Sequence, residues 1–391
     1  MWVLFSFFYY KHQTGIPFEF ATADAWYYDR LARLGSMNFW IGNFNIYGLF
    51  KEIGVGLSDR GYPLYLSIVY ILTGNSIFIA RILKAIISAY TCLMVYNIAR
   101  RNFGFHIART AGVMCMLLPN LIYYTGLHVK ETEMLFLTLA FVNQADLLIR
   151  NRIFNFKNIL LTVSLGASLF LFRTVLGVAA FFSLFTALVF TSNRIIGLSK
   201  KVLIGFWVVV LLLIFAGSAV KADLEKYWGG SKSNQELGMV YKTNRDKGNK
   251  FAKYGKTSIF APIILIAPFP TFVDIPHQKN IMLLSGAYYI RNIYAFFVLI
   301  ALTYFLRKRR YKNHLLIITM ALSYLAVLAM SNFALSERFH MPVVPLLLIL
   351  AAVGIHNFKP HKKQYFYLYL VFTSVVIIGW NWFKLAGRDM I

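Results

Sequence analysis

Long apolar runs recur along this chain from end to end, and they constrain its fold more than any other feature. A helix needs roughly 20 apolar residues to cross the hydrocarbon core of a bilayer. In lipid the backbone must satisfy its own hydrogen bonds, so spans of this length form helices. The composition agrees, because only 14% of the residues are charged, against about 25% in a typical soluble domain. The sequence therefore predicts an all-α, polytopic integral membrane protein with one transmembrane domain over residues 1–391.

The positive charge of the chain lies in short clusters between these apolar runs. A net charge of +25 could indicate a nucleic-acid partner. However, acid-free basic loops between spans are the pattern of the positive-inside rule, so we expect no nucleic acid and place these loops in the cytoplasm. The clusters lie at residues 100–101, 150–157, 194–201, 307–312 and 359–363. Cys92 and Cys115 both fall in predicted spans, which indicates neither a disulfide framework nor a metal site.

An even number of crossings must separate any two cytoplasmic clusters, and this parity fixes the predicted topology. The stretch 159–191 has basic loops on both sides and is too long for one crossing, so we expect a hairpin with Arg173 near its outer turn. The segment 2–10 is too short to cross, so we expect either a start upstream of Met1 or a truncated first span. Counting it gives about eleven crossings. The direct spans are predicted near 77–98, 107–125, 133–149, 202–221, 289–306, 314–333, 341–355 and 364–382.

Two large extracytoplasmic loops follow from this topology, at about 11–76 and about 222–288. The segments 62–73 and 260–273 within them are expected to lie along the outer surface as short surface helices or broken stretches. Of the 15 acidic residues, only Asp146 falls on the cytoplasmic side. Because acids contribute little to the positive-inside rule, this asymmetry indicates that the chemistry is extracytoplasmic.

The outer loops hold the candidate site residues. Asp24 opens a predicted surface helix, Asp59 precedes the segment 62–73, and Lys130 and Glu131 share a very short loop. Taken alone, each also fits an ordinary role, as a helix cap or a solvated loop residue. Arg173 and Arg338 lie in two further outer turns.

Arg81 and Lys84 lie three apart near the outer end of a span, on one helix face. Two interpretations are equally supported: the side chains snorkel to the headgroups, or they form a cationic site inside the bundle. Together with the outer turns, they bring several cations to one depth beside carboxylates. That electrostatic arrangement suits a phosphate held at the membrane surface while a base works nearby.

Nucleotide-binding motifs are missing from the sequence. Neither GxGxxG nor GxxxxGK[ST] occurs, which argues against a nucleotide-driven machine. The cytoplasmic loops have almost no acids to hold Mg²⁺ on a nucleotide. An enzyme that uses a nucleotide sugar from the cytosol therefore fits poorly.

An ordered set of short motifs runs along nearly the whole chain. They are Asp24, GYPLYL at 61–66, ARIL at 80–83, ARRNFG at 99–104, GLHVKE at 126–131 and RFHMPVVP at 338–345. In this order they resemble the membrane-embedded C-type glycosyltransferases, the superfamily of protein O-mannosyltransferases and the lipid A aminoarabinose transferase. Among its subgroups, the chain looks most like bacterial enzymes of cell-surface polysaccharide assembly.

This resemblance implies an inverting transfer of a sugar from a polyprenyl-phosphate donor to a glycan or lipid-linked acceptor. It implies an active site on the extracytoplasmic side of the bacterial cytoplasmic membrane. Asp24 would be the catalytic base. The leaving lipid phosphate would be bound by Arg81, Lys130, Arg173 and Arg338, and Asp59 and Glu131 complete the predicted substrate-binding set.

Two features depart from the family pattern. The first span is missing or short, and the family often has a second acid after the first-loop Asp, where this chain has Ala25. No cofactor is therefore predicted, although a divalent metal is compatible. The alternative functions are a membrane transporter or flippase for lipid-linked glycans, and an O-antigen polymerase or ligase. The last two would use undecaprenyl-pyrophosphate donors.

Overall fold

The computed structural model describes residues 1–19, 23–151, 155–191, 266, 272, 281–309, 311–329, 337–359 and 363–386. Over these residues the chain forms helices and no strand, which confirms the predicted all-α class. The contacts divide it into two compact units. The first is Met1–Ile98 with Pro119–Asp223, and the second is Ala99–Leu118 with Leu224–Ile391.

The helices follow one another with short connections. In chain order they are α1 (Trp2–Thr14), α2 (Ala23–Trp40), α3 (Ile46–Glu52), α4 (Gly61–Thr73), α5 (Ile77–Phe103), α6 (Phe105–Leu117), α7 (Pro119–Thr125), α8 (Glu131–Asn151), α9 (Phe156–Phe172), α10 (Thr174–Thr191), α11 (Ile281–Arg307), α12 (Leu315–Ala329), α13 (Glu337–His340), α14 (Val344–Asn357) and α15 (Lys363–Ala386). Three 3₁₀ turns lie at Leu57–Asp59, Tyr311–His314 and Met341–Val343.

Two helix breaks have clear local causes. Proline lacks an N–H and disfavours helical backbone in the residue before it, so Leu118 is extended and α7 begins at Pro119, bent by 53° from α6. Arg173 is also extended, with φ −166° and ψ 112°, and separates α9 from α10. These two helices pack against each other. The predicted division of the stretch 159–191 into two helices at Arg173 is therefore confirmed.

In the first unit, α2 packs against α4, and α8 and α10 both pack against α9. The α8–α9–α10 contact is aromatic: Phe181 lies 6.3 Å from Phe141 and 6.1 Å from Phe170, measured between ring centroids. The α2–α4 contact is partly polar, because the buried Ser67 hydroxyl donates to the carbonyl of Ala32 at 3.2 Å. These contacts fix the elements that carry the candidate site.

In the second unit, α14 lies at the centre and packs against α6 and α11. Its residues from Val344 to Gly354 are all buried. A side chain at Gly354 would collide with the carbonyl oxygen of Phe297 on α11. Glycine at this position therefore allows the two helices to approach closely.

Six helical segments in the described part of the chain are long and apolar enough to cross a membrane. The bent pair α6–α7 would make a seventh. α15 exposes Leu368, Phe372, Ile378 and Trp382 along one side, an apolar surface that suits lipid and not water. The six segments are Ile77–Phe103, Glu131–Arg150, Ile290–Arg307, Tyr311–Leu328, Arg338–Asn357 and Lys363–Trp382.

The count of eleven crossings stays a prediction. α1, with 13 residues, and α9, with 17, are shorter than the six spanning segments. The predicted span 202–221 and nearly all of the predicted loop 222–288 lie outside the described residues. The predicted outer loop 11–76 contains α2, α3 and α4, and whether α4 lies along the membrane surface is likewise untested.

The predicted sidedness can be tested with single cysteines at Lys242 and Lys308 in a background lacking Cys92 and Cys115. We expect an impermeant thiol reagent to label position 242 and not position 308 in intact cells, because the acid-free basic clusters mark the cytoplasmic side. Labelling of both after permeabilisation is the control. Labelling at 308 but not at 242 would invert the topology.

Candidate active site

An ion pair between Lys130 and Asp59 lies at the centre of the candidate site. The Lys130 ammonium donates to Oδ1 of Asp59 at 2.5 Å and to the carbonyl of Ser58 at 2.9 Å. The Tyr28 hydroxyl donates to the same carboxylate oxygen at 3.3 Å, and the centroid of the Tyr28 ring lies 5.9 Å from the Lys130 ammonium. The Lys130 side chain is 8% exposed and that of Asp59 is 43% exposed. The pair therefore has a buried cationic side and a carboxylate open to a ligand.

Arg173 brings a second cation to this pair. It is buried at the α9–α10 break, close enough to influence both Asp59 and Lys130 electrostatically. Gly61, two residues after Asp59, allows this approach, because a Cβ there would lie 2.6 Å from the Phe172 ring and 2.9 Å from the carbonyl oxygen of residue 171. The glycine of the 61–66 motif thus packs the Leu57–Asp59 turn against the end of α9.

The balance of burial and surrounding charges lowers the pKa values of both Lys130 and Asp59. For Asp59, burial favours the neutral acid, but Lys130, Tyr28 and Arg173 outweigh it and hold the pKa below its ordinary value. For Lys130, burial and the Arg173 charge outweigh the attraction of Asp59, so its pKa also lies below the ordinary value. An ammonium has three N–H donors, and Asp59 and Ser58 use two. The third is left for a ligand.

Asp24 lies in the first turn of α2 with its side chain exposed. Tyr28 follows one turn later on the same helix face, about 6 Å further along the axis. The helix face that carries Asp24 is therefore the one that contacts Asp59 through the Tyr28 hydroxyl.

Asp29, the other carboxylate of α2, lies five residues after Asp24, which corresponds to about 140° around the helix. It therefore has different surroundings. It is buried and accepts hydrogen bonds from the Tyr70 hydroxyl at 2.5 Å and from Arg33 Nε at 2.8 Å. The Tyr70 bond joins α2 to α4, whereas Arg33 lies one turn further along α2 itself. Asp29 therefore stabilises the packing of the two helices.

Arg81 and Lys84 are buried inside the first unit, with 1% of each residue exposed. Arg81 donates to the carbonyl of Gly126 and, at 2.8 Å, to that of Pro17. Lys84 donates to the carbonyls of Leu127, at 2.8 Å, and Val129. The burial of both side chains argues against snorkelling, and a ligand site at this pair stays a prediction.

His128 lies between Leu127 and Val129, whose carbonyls Lys84 binds, and is fully buried between two aromatic rings. Its ring centroid is 5.3 Å from that of Phe18 and 5.9 Å from that of Tyr62. Neither ring nitrogen has a hydrogen-bond partner in the described part of the chain. Burial, together with the nearby charges of Arg81 and Lys84, lowers the pKa of His128 well below its ordinary value. His128 is therefore neutral in the folded chain.

Acid should destabilise the first unit through His128. The unfolded chain takes up a proton near pH 6.5 and the folded chain does not, so this contribution is complete above pH 6.5 and is lost as the pH falls. We expect His128→Phe to reduce the drop in thermal unfolding midpoint between pH 8 and pH 5, and His12→Phe, at an exposed position, to leave it unchanged. Equal acid sensitivity of His128→Phe and wild type would contradict this assignment.

The remaining predicted residues are Glu131 and Arg338. Glu131 is fully buried in the first turn of α8. Arg338 belongs to the second unit, half-buried on α13. Its neighbours are held from two helices, since Arg291 of α11 lies 3.0 Å from Nδ1 of His340 and the Tyr324 hydroxyl of α12 donates to the Phe339 carbonyl at 2.9 Å.

The sequence analysis assigns no role to Tyr28 or Arg291 and does not identify the partners of Lys84. The spacing of four residues between Asp24 and Tyr28 is a signal that places both on one helix face. Arg291 is an isolated cation within an apolar run, which is itself a functional signal in a membrane protein. Lys84 was noted beside Arg81, but its carbonyl partners depend on the fold.

No three His, Cys, Asp or Glu side chains among the described residues are grouped to hold a metal ion. The metal requirement therefore stays untested.

No protein-family model matches the sequence, and no curated protein matches it significantly. Solved structures resemble the chain at 15% identity. ArnT from Cupriavidus metallidurans, a lipid A aminoarabinose transferase, gives a TM-score of 0.48 in the apo state, covering 87% of this chain and 56% of that one. Bound to undecaprenyl phosphate, the same protein gives 0.49, with coverages of 89% and 58%.

The archaeal oligosaccharyltransferase AglB from Archaeoglobus fulgidus, in complex with an inhibitory peptide and a dolichol-phosphate, is similar at 15% identity with a TM-score of 0.49, covering 94% of this chain and 51% of that one. This chain thus spans 51% to 58% of the length of the proteins it resembles. All three structures are of C-type glycosyltransferases, the superfamily that the sequence motifs resemble. At this identity and these TM-scores, the likeness assigns neither an activity nor a site residue to this chain.

Proposed function

We propose that this chain is an inverting glycosyltransferase. It would move a sugar from a polyprenyl-phosphate donor to a hydroxyl group of an extracytoplasmic glycan or lipid-linked acceptor. The observation that carries the proposal is the buried Lys130, with one N–H left over, beside Asp59 and Arg173. Tyr28, which donates to Asp59, lies one helical turn after the exposed Asp24 on α2. The proposed phosphate-binding cation and the proposed carboxylate base therefore lie in the same unit.

The charges suit a departing phosphate. In the donor, a phosphate diester carries a single negative charge, and the leaving polyprenyl phosphate carries about −1.5 to −2 at neutral pH. Lys130 and Arg173 are held in place by their buried surroundings before the donor arrives. Fixed cations aimed at a developing charge bind the transition state more tightly than the ground state.

The proposed step is a single displacement with a balanced proton transfer. The acceptor oxygen attacks the anomeric carbon from the side opposite the phosphate, which inverts the configuration. The bond between that carbon and the phosphate oxygen breaks, and its electron pair stays on the phosphate. Asp24 takes the acceptor proton, for which it must come within roughly 2.6–3.2 Å of the hydroxyl oxygen. The products are the glycosylated acceptor and polyprenyl phosphate.

The other predicted residues have supporting roles in this proposal. Asp59 would orient the Lys130 ammonium through the 2.5 Å ion pair. Glu131 would contribute to the buried charge balance around Lys130. Arg338 stays a proposed phosphate ligand on sequence grounds alone. We place the enzyme in the bacterial cytoplasmic membrane, with the acceptor on the extracytoplasmic side.

A transporter is the main alternative from another class. Transporters place ionisable residues and broken helices near the bilayer midplane. In the described spans, most buried ionisable residues lie near helix ends: Arg81 and Lys84 in α5, Glu131 and Glu133 in α8, and Asp146 close to the other end of α8. Arg291, inside α11, is the exception. This distribution favours chemistry at a membrane surface.

Lipid extracts from a strain that lacks this chain would test the donor class. By mass spectrometry, we expect a polyprenyl-monophosphate sugar to accumulate together with a glycan short of one sugar. The wild-type chain should restore both, and Asp24→Asn should restore neither. Accumulation of a polyprenyl-pyrophosphate glycan alone would support the polymerase or ligase alternative instead.

A further inference from the structure

The 126–130 loop joins α7 to α8 and carries Lys130 at its end. All five of its residues are buried, and none belongs to a regular helix. Buried backbone carbonyls outside a helix need hydrogen-bond partners, and leaving them without any is costly. The conformation of this loop therefore depends on whatever supplies those partners.

Two cations of α5 supply them. Arg81 and Lys84 lie on one face of the helix and donate to the carbonyls of Gly126, Leu127 and Val129. The Ser6 hydroxyl adds a bond to Gly126 at 3.0 Å. The last of these carbonyls lies one residue before Lys130. The loop is thus fixed directly beside the ammonium that reaches Asp59.

Both α5 cations already have counter-charges. A carboxylate oxygen of Glu133, in the first turn of α8, lies 3.4 Å from the Lys84 ammonium. A carboxylate oxygen of Glu19 lies 4.0 Å from the Arg81 guanidinium and also accepts from the backbone N–H of His128 at 3.4 Å. These pairs leave Arg81 and Lys84 engaged within the protein.

We propose that Arg81 and Lys84 are positioning residues, which clamp the 126–130 loop by its carbonyls so that Lys130 reaches Asp59. This assigns Arg81 a structural contact where the sequence predicted a phosphate contact. The catalytic part of the proposal rests on the glycosyltransferase function proposed above. The clamp itself does not rest on that function, because it is a property of the folded chain.

Hydrogen–deuterium exchange in nanodiscs tests the clamp without any assay of activity. Arg81→Met and Lys84→Met keep apolar stems and remove the donors. We expect backbone amides across residues 126–130 to exchange at least about tenfold faster in each variant, as the loss of hydrogen bonds worth about 1 kcal/mol each implies. Lys51→Met, at an exposed position on α3, should leave the loop unchanged. Unchanged exchange in both α5 variants would overturn the proposal.

Transfer kinetics then separate positioning from direct contact. If Lys84 acts through Lys130, the double variant Lys84→Met/Lys130→Met should be no slower than Lys130→Met alone. If the two residues contacted the phosphate independently, the rate losses of the single variants would multiply in the double variant. Multiplying losses would overturn the positioning role. If the wild type transfers no sugar from any donor, the proposed function fails while exchange still decides on the clamp.

Lys84→Gln covers the case in which the Met variants do not fold. Glutamine keeps an N–H donor and removes the charge, so a clamp made of hydrogen bonds should survive with exchange within about threefold of wild type and with transfer retained. Loss of transfer with unchanged loop exchange would show that the charge itself acts on the substrate, and would contradict the proposal.

Discussion

Replacing Asp24 by Asn is expected to lower turnover by at least two orders of magnitude. The variant keeps the shape of the side chain and removes its basicity, and general-base catalysis commonly contributes about 10²–10⁴-fold. Asp24 is exposed on the first turn of α2, so the change should alter neither folding nor delivery to the membrane. Donor binding should also persist, because it depends on Lys130 and Arg173. Turnover at saturating donor, compared with wild type, is the measurement.

Glu52→Gln is the matched control for this change. Glu52 is an exposed carboxylate at the end of α3, in the same predicted outer loop, and its replacement should leave turnover unchanged. Asp29→Asn is a poorer control, because Asp29 joins α2 to α4 through the Tyr70 hydroxyl. Normal turnover in Asp24→Asn together with an inactive Glu131→Gln would place the base at the start of α8.

Lys130→Met should weaken donor use by roughly 10–100-fold. Charge-assisted bonds are typically worth about 1.5–3 kcal/mol, and each 1.36 kcal/mol is a factor of ten. The loss should appear in kcat/KM for the donor. Asp59 is left without its cation in this variant, but its side chain is 43% exposed and water can replace the partner. Lys51→Met is the matched control and should change nothing.

The pH profile gives this prediction a second test. The pKa of Lys130 lies below its ordinary value, so rising pH neutralises this lysine earlier than an exposed one. Donor use should therefore fall on the alkaline side. Lys130→Arg should move that fall to higher pH, because a guanidinium stays charged. An alkaline limb that is the same in Lys130→Arg and in wild type would exclude Lys130 as its source.

The helices themselves were largely predictable from sequence. Apolar runs bounded by basic clusters located α5, α8 and α14 to within a few residues, because span length and loop charge are set by the bilayer. The break at Arg173 followed from the length of a run that was too long for one crossing. Residues 107–125 are predicted as one span, and the bend at Leu118 follows from the proline after it.

The pairing of site residues was beyond sequence reasoning. Lys130 and Asp59 are 71 residues apart, and only the packing of Gly61 against the end of α9 brings the Asp59 turn to Arg173. The two interpretations of Arg81 and Lys84 stayed equal for a related reason. The apolar residues of α5 are not confined to one side of the helix, so its periodicity does not show which face meets the protein interior.

Transfer by the purified chain in nanodiscs tests the central claim most directly. The assay would offer one sugar on a polyprenyl monophosphate and the same sugar on a polyprenyl pyrophosphate, with wild type, Asp24→Asn and Glu52→Gln in parallel. We predict a glycosylated acceptor of inverted anomeric configuration, and equimolar release of polyprenyl phosphate, from the monophosphate donor with wild type and Glu52→Gln only. Transfer from the pyrophosphate donor alone, or equal transfer by Asp24→Asn, would contradict it.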